Sequence, residues 1–119
     1  MQHSREALLV RGDVLKRKIE TGEKTGTTRK WCQQRVDRWK QKVGQLVRLQ
    51  TNWAADTIFA WGLILSVQSI EIGVDLDDFM MDRCGCADIA KQEYIKAFWD
   101  GDVKGKGVFI EFQCKPLLK

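Results

Sequence analysis

Trp53–Ile72, WAADTIFAWGLILSVQSIEI, is the most apolar stretch of the chain and sets the architecture that the sequence predicts. It carries no charge between Asp56 and Glu71, and every residue of Ile58–Leu65 is apolar. A helix that is apolar on all sides is buried, either in a protein core or in lipid. The uncharged run, 57–70, has 14 residues, whereas a bilayer requires roughly 20. We therefore expect a central core helix and no membrane-spanning segment.

Length and composition are those of an ordinary folded protein. The 119 residues suit a single domain, 1–119, that can bury a core without metal or disulfide staples. Apolar residues make up 44% of the chain and charged residues 30%, which excludes a disordered protein. The N-terminal sequence lacks the sustained apolar run of a secretory signal. The four cysteines are therefore expected to be free thiols in a reducing compartment, which predicts a cytoplasmic location.

The segments before the apolar stretch show helical periodicity. Ser4 is placed to cap a first helix that ends near Thr21. From about residue 27 to Gln50, apolar residues recur on one face, which predicts a long amphipathic second helix. Asn52 can cap the central helix after a tight turn. Because a short connection favours antiparallel neighbours, we expect the second and central helices to form a hairpin.

The C-terminal half mixes strand and helix signals. Alternation over residues 69–75 predicts a short strand, and Val108–Cys114 gives a matching signal before Pro116. Because a strand needs partners for its backbone groups, we expect these two to pair. A helical turn at Phe79 and a last helix, Asp88–Trp99, lie between them. The predicted fold is α+β and predominantly helical: a helical hairpin around a buried central helix, with a small C-terminal two-stranded sheet. An all-α bundle is the alternative.

The net charge of +4 is unevenly distributed along the chain. Residues 1–60 carry 13 Lys/Arg against 6 Asp/Glu, whereas residues 61–119 carry 7 against 10. The two halves either neutralise each other in the fold, or the basic half faces an acidic partner such as nucleic acid or an acidic protein surface.

The most distinctive local pattern is Trp31-x-x-x-Arg35-x-x-x-Trp39 in the second predicted helix. Steps of four residues place the three side chains on one helix face, with the guanidinium between two indole rings. Basic residues interleaved with aromatic ones suit phosphate contacts and base stacking. In the purely structural alternative, both tryptophans are core and Arg35 pairs with an acidic residue of the C-terminal half. The predicted binding residues are Trp31, Arg35, Arg38, Trp39, Lys40 and Lys42.

Known catalytic and metal-binding patterns are missing from the sequence. The sole histidine, His3, makes Cys/His and Ser/His nucleophile arrangements improbable. The spacing of Cys84 and Cys86 is wrong for a zinc site. The carboxylates of Asp75–Asp78 lack the glycine and glutamate that complete a calcium loop. We therefore predict no enzyme activity, no bound metal and no cofactor.

These observations predict a non-catalytic binding module. Its basic, tryptophan-bearing helix would engage nucleic acid or an acidic protein face, in the second case as a small inhibitor or adaptor. The alternative is a self-assembling structural subunit whose oppositely charged halves pair head to tail, with a possible homo-oligomer as the product. Binding to phosphates should weaken steeply as salt rises, whereas the self-assembling subunit should sediment as a concentration-dependent oligomer without any ligand.

Overall fold

The protein is organised around one mixed β-sheet rather than around a helix. The computed structural model describes residues 3–117, and the side chains of all of these except residues 3, 5 and 55. In this range the strands are β1 (His3–Leu9), β2 (Gly26–Arg29), β3 (Leu46–Gln50), β4 (Ile58–Glu71) and β5 (Lys106–Pro116). The helices are α1 (Asp13–Glu20), α2 (Gln33–Lys40), α3 (Ile72–Asp75), α4 (Asp78–Arg83) and α5 (Lys91–Phe98). The fold is α+β, but the predictions of a predominantly helical protein and of an all-α bundle are wrong.

The sheet has the strand order β1-β3-β4-β5-β2 in the described part of the chain. β1 runs parallel to β3, and all other neighbours are antiparallel. The longest ladder joins β4 to β5 and extends from the Ala60–Pro116 pair to the Glu71–Lys106 pair. β1 and β2 are therefore the two edges of the sheet.

The segment predicted as the central helix is the central strand, β4. A continuous apolar run fits a buried strand as well as a buried helix, so its composition alone does not separate them. Strand pairing identifies the segment as a strand, because β4 lies between β3 and β5 and both of its edges are hydrogen-bonded. With the helix replaced by a strand, the predicted helical hairpin is wrong too. Within residues 3–117, no helix has the length and apolar character needed to cross a membrane.

The two predicted N-terminal helices are each interrupted. The region predicted as the first helix forms the strand β1 and then the short helix α1. The region predicted as the second helix forms β2, α2 and β3. Gly12 and Gly44 stand at two of these breaks, with φ angles of 89° and 86° that continue neither a helix nor a strand. The apolar residues of 46–50 also fit a period of two, because Val47 and Leu49 are buried while Leu46 and Arg48 are half-buried. Local strand signals therefore outweighed the longer helical pattern.

The C-terminal predictions fare better. The late strand lies within β5, and residues 69–71 of its predicted partner pair with it, as in the Ser69–Val108 pair. Both belong to a five-stranded sheet, so the predicted two-stranded C-terminal sheet is wrong. The predicted partner is a strand only as far as Glu71, where α3 begins. The last helix is confirmed as α5, with bounds shorter than predicted. Asp77 caps α4, since its carboxylate accepts a 2.9 Å hydrogen bond from the Met80 amide.

Two hydrophobic clusters stabilise the sheet. Alternate residues of a strand point to opposite faces, and β5 accordingly contributes Val108 and Ile110 to one cluster and Phe109 to the other. The first cluster includes side chains from α1 and α2 and is centred on Trp39, which is fully buried. The second includes side chains from α3, α4 and α5 and is centred on Trp99. The helices thus cover both faces of the sheet and leave its two edges to form the site described next.

Candidate functional site

The sheet curls until its two edge strands approach each other, and a cleft of about 620 Å³ opens between them. β1 lines one side of the cleft with Leu8 and Leu9, and β2 lines the other with Thr27, Thr28 and Arg29. A volume of this size is typical of small-molecule and cofactor sites, which fall roughly between 300 and 1,000 Å³. The cleft is therefore large enough to hold a small ligand.

Arg29 joins the two edges of the sheet across this cleft. Its Nη2 donates a 2.6 Å hydrogen bond to the carbonyl of Leu9, and its Nη1 donates a 2.9 Å bond to the carbonyl of Thr28. Nη1 also donates to the hydroxyl of Thr27. Burial lowers the pKa of the Arg29 guanidinium, and the nearby charges of Arg11 and Arg35 lower it further. Arg29 is thus held rigidly in a region where positive charge accumulates.

Lys24 lies at the base of the cleft and is only 5% exposed. Its Nζ donates hydrogen bonds of 2.7 Å to the carbonyl of Gly26 and 3.2 Å to the carbonyl of Cys84. Burial lowers the pKa of Lys24 to about 8. An amine with that pKa is partly neutral at physiological pH, so Lys24 can serve as a cation for an anionic ligand or as a proton acceptor.

Trp31 and Arg35 form the upper wall of the cleft. The guanidinium carbon of Arg35 lies 4.1 Å from the centroid of the Trp31 ring, in a cation–π arrangement. The Nε of Arg35 is buried and has no hydrogen-bond partner in the described structure. The sequence predicted that Arg35 would lie between Trp31 and Trp39, whereas the guanidinium lies on the Trp31 ring and Trp39 is buried below, 5.1 Å from Trp31 between ring centroids.

Trp53 reaches the cleft from the loop between β3 and β4, and 73% of its surface is exposed. The sequence pattern predicted Trp53 at the start of a core helix and did not indicate it as a site residue. Lys24 and Arg29 were likewise not among the predicted binding residues. The two β-branched residues Thr27 and Thr28 before Arg29 were the available signal, since they favour a strand that would order this segment.

The positive charge of the cleft is not neutralised by neighbouring carboxylates. Across residues 3–117, Arg11, Arg29 and Arg35 form no ion pair with Asp or Glu. Asp100 is the acidic residue in the lining. Lys30, also in the lining, is paired with Asp102 at 2.7 Å, which holds the pKa of Lys30 above its usual value. Three guanidinium groups and Lys24 thus place positive charge at the cleft without an ion-pair partner among the described residues.

The remaining predicted binding residues lie apart from the cleft. Arg38 pairs with Glu6 on β1 at 2.8 Å, and Lys42 lies 3.7 Å from the same carboxylate. Lys42 also donates a 2.8 Å hydrogen bond to the hydroxyl of Ser4. Lys40 is exposed to solvent. The structure therefore brings Trp31 and Arg35 together at the cleft, whereas its lining does not include Arg38, Trp39, Lys40 and Lys42.

Tyr94 closes the cleft beside β2. Its hydroxyl lies 2.6 Å from the Thr28 hydroxyl, which also accepts a 2.9 Å hydrogen bond from the indole nitrogen of Trp99. Burial raises the pKa of Tyr94, so the ring stays a neutral phenol at physiological pH. Cys84 and Cys86 lie nearby as buried free thiols. Among the described residues, no three His, Cys, Asp or Glu side chains are grouped as metal ligands would be.

Comparison with known proteins finds a similar fold in one solved structure. It is the crystal structure of a mutant of the ZmASCH protein from Zymomonas mobilis, with a TM-score of 0.58 and 13% sequence identity. The similar region covers 98% of this chain and 76% of that chain. At such low identity the similarity supports the fold alone. No protein-family model and no curated protein matches the sequence.

Proposed function

We propose that the protein is a non-catalytic binding module for single-stranded nucleic acid, acting in the cytoplasm, and that the cleft between β1 and β2 is its binding site. The chemistry of such a ligand needs two things, cations for its phosphates and flat apolar surfaces for its bases. Arg11, Arg29 and Lys24 supply the charge, and Trp31 and Trp53 supply the rings.

The observation that carries this proposal is Arg35 on Trp31. A buried guanidinium nitrogen without a partner costs free energy unless something satisfies it. Arg35 Nε is such a nitrogen, and the group lies 4.1 Å from an aromatic centroid at the wall of a cleft with unneutralised arginines. A phosphate oxygen would satisfy the guanidinium, while the adjoining rings would accept a base.

The aromatic surface of the cleft favours nucleic acid as the ligand over an acidic protein face. With an acidic protein as partner, this protein would act as an inhibitor or adaptor. An acidic protein offers carboxylates, which need the arginines but leave the Trp53 ring without a stacking partner. Every nucleobase has a flat face, so both features of the cleft are used. Binding to an acidic polypeptide is the competing outcome that the experiment below can detect.

The test is the binding of a fluorescently labelled single-stranded 12-mer by anisotropy, titrated with salt from roughly 50 to 200 mM. Affinity should fall linearly on a log–log plot, with a slope of about −0.7 for each phosphate that the protein neutralises. Arg35→Ala should weaken binding by about tenfold or more, because a charged hydrogen bond contributes roughly 1.5–3 kcal/mol. Polyglutamate of similar length should compete poorly.

Lys40→Ala is the matched control, because Lys40 lies on the same helix, α2, but outside the cleft lining. It removes one positive charge, as Arg35→Ala does, and should change affinity by less than about twofold. Equal weakening by the two substitutions would show that binding depends on general charge and not on the cleft. No binding at low salt, with both proteins folded by circular dichroism, would exclude nucleic acid as the ligand.

The lowered pKa of Lys24 favours a second candidate, in which the cleft is an active site. Perturbed titratable groups in clefts are frequent at catalytic centres, and a neutral Lys24 could act as general base or nucleophile. Mass spectrometry of the oligonucleotide recovered after prolonged incubation at pH 8–9 separates the candidates. An unchanged ligand supports the binding module. A product that disappears with Lys24→Met would establish catalysis.

A further inference from the structure

A second cavity adjoins the cleft and shares part of its wall. It has a volume of about 370 Å³ and lies over β1 and β3. Ala7, Arg35 and Trp53 line both cavities, and Arg48 and Gln50 line the second one alone. Arg35 and Trp53 therefore stand at the junction, where a ligand passing from one cavity to the other would contact both.

The loop that carries Trp53 is braced from within. Asn52 accepts a 2.7 Å hydrogen bond from the Ala54 amide on its side-chain oxygen, and the Thr57 hydroxyl donates a 2.6 Å bond to the carbonyl of Ala54. Beneath them Gln50, which is 4% exposed, donates a 2.7 Å bond to the carbonyl of Asn52. One exposed tryptophan is ordinary on a protein surface. An exposed tryptophan on a braced loop, at the junction of two cavities, is a preformed stacking surface.

We infer that the two cavities form one continuous groove for two or more consecutive nucleotides, with a base stacked on Trp53 at the junction. This inference rests on the proposed function and specifies its ligand as an oligonucleotide, not a mononucleotide. Each cavity falls in the size range of a small-ligand site, about 300–1,000 Å³. A polymer with a repeating phosphate and base matches a groove with repeating cations and rings.

The charges along the groove fit a strand that passes over Arg35. Arg11 and Arg29 lie on the cleft side of the junction, and Arg48 lies on the side of the second cavity. Glu6 also lines the second cavity, but Arg38 at 2.8 Å and Lys42 at 3.7 Å offset its charge. These ion pairs give Arg38 of α2 and Lys42, which follows α2, a role in the groove, because they keep a carboxylate from repelling the strand.

A length series of oligothymidylates tests the inference: thymidine 5′-monophosphate, then the dinucleotide, tetranucleotide and octanucleotide, measured by calorimetry at low salt. Affinity should rise by at least about tenfold from the mononucleotide to the tetranucleotide. Trp53→Ala should remove most of that increase, a loss of about five- to a hundredfold for the tetranucleotide. Trp53→Phe should restore much of the lost affinity, because phenylalanine keeps a stacking face.

Phe79→Ala is the matched control, since Phe79 is 52% exposed and lines none of the described cavities. Its length series should match that of the unmodified protein. If the mononucleotide binds as tightly as the octanucleotide, the continuous groove is refuted and single-site binding in the cleft survives. If Trp53→Ala weakens all lengths equally, the stacking position at the junction is refuted. If no length binds, the proposed function fails together with the inference.

Discussion

Arg29 on β2 donates a 2.6 Å hydrogen bond to the carbonyl of Leu9, the last residue of β1. These two strands are the edges of the sheet, and a curled sheet could have closed here by a regular ladder. One arginine side chain bridges the gap instead, and the cleft occupies the space that a ladder would have filled. The same guanidinium thus contributes to the fold and to the positive charge of the site.

The first prediction concerns this bridge. Arg29→Ala removes the donors of the hydrogen bonds to Leu9, Thr27 and Thr28. Each hydrogen bond from a charged group contributes roughly 1.5–3 kcal/mol, but the variant no longer buries a charge, which offsets part of the loss. We therefore expect the free energy of unfolding to fall by about 2–3 kcal/mol. Urea denaturation measures the change. Lys30→Ala, which breaks an exposed ion pair with Asp102, should have little effect. Equal losses from both substitutions would contradict a structural role for the bridge.

The second prediction is a stability that depends on Lys24 and rises with pH. The pKa of Lys24 is about 8 in the folded protein and 10.5 in the unfolded chain. Below pH 8 both states bind the proton, and the penalty for burying the charge is fully present. Between pH 8 and 10.5 the unfolded state binds more protons, so the free energy of unfolding should increase, by about 3 kcal/mol in total.

The difference between the protein and its Lys24→Met variant isolates this contribution. Burial raises the pKa of Tyr94 and of Cys86, and both groups oppose the rise at high pH, but they titrate in both proteins. Urea denaturation at several pH values from 7 to 10 should give a difference that grows in favour of the lysine protein. A difference that stays constant over this range would mean that Lys24 is not desolvated in the folded state.

The third prediction links β5 to the position of Arg29. Gly107 lies so close to β2 that a Cβ would come within 2.0 Å of the Arg29 carbonyl and 2.7 Å of the Trp99 ring. Gly107→Ala should therefore force the strands apart and cost about 1–3 kcal/mol or more of unfolding free energy, with weaker ligand binding because Arg29 moves. Gly62→Ala in β4 is the control, because the nearest atoms to its Cβ would be side-chain carbons of Leu49 at 3.0 Å or more, with no backbone atom among them. Denaturation should show the smaller loss for Gly62→Ala.

Features of the fold that depend on neighbouring residues could be predicted from the sequence, and features that depend on long-range pairing could not. The helical turn at Phe79 and the strand at Val108–Cys114 rest on neighbouring residues, and both were predicted. The helix assigned to Trp53–Ile72 failed because only pairing with β3 and β5 distinguishes a buried strand from a buried helix. Head-to-tail pairing between copies of the chain, through their oppositely charged halves, stays a prediction.

The site was predicted in part, for the same physical reason. Trp31 and Arg35 are close in sequence, and Arg35 lies on the Trp31 ring, although not between Trp31 and Trp39 as the spacing predicted. Arg29 and Trp53 reach the cleft only because a curled sheet brings distant segments together. A helical reading of those segments could not place them there. Lys24 acquires its lowered pKa from burial, which no short motif reveals.

The last prediction separates the two tryptophans that the sequence placed on one binding face. Trp39 is fully buried, whereas Trp31 lines the cleft beneath Arg35. Trp39→Phe should lower the free energy of unfolding by about 1–3 kcal/mol through lost packing. The loss is limited because the buried indole nitrogen of Trp39 has no hydrogen-bond partner in the described structure, so no hydrogen bond is lost with it. Its affinity for the single-stranded 12-mer should stay within about twofold, since no contact with the ligand is removed.

Trp31→Ala, in contrast, should weaken binding of the single-stranded 12-mer by about five- to a hundredfold. The reason is that the half-buried ring supports both Arg35 and a stacked base. Anisotropy and urea denaturation on the same preparations give both quantities for each variant. If Trp39→Phe weakened binding as much as Trp31→Ala while remaining folded, the ligand would lie along the face of α2, as the sequence suggested. Because burial removes Trp39 from any surface contact, we expect binding to depend on Trp31 alone of the two.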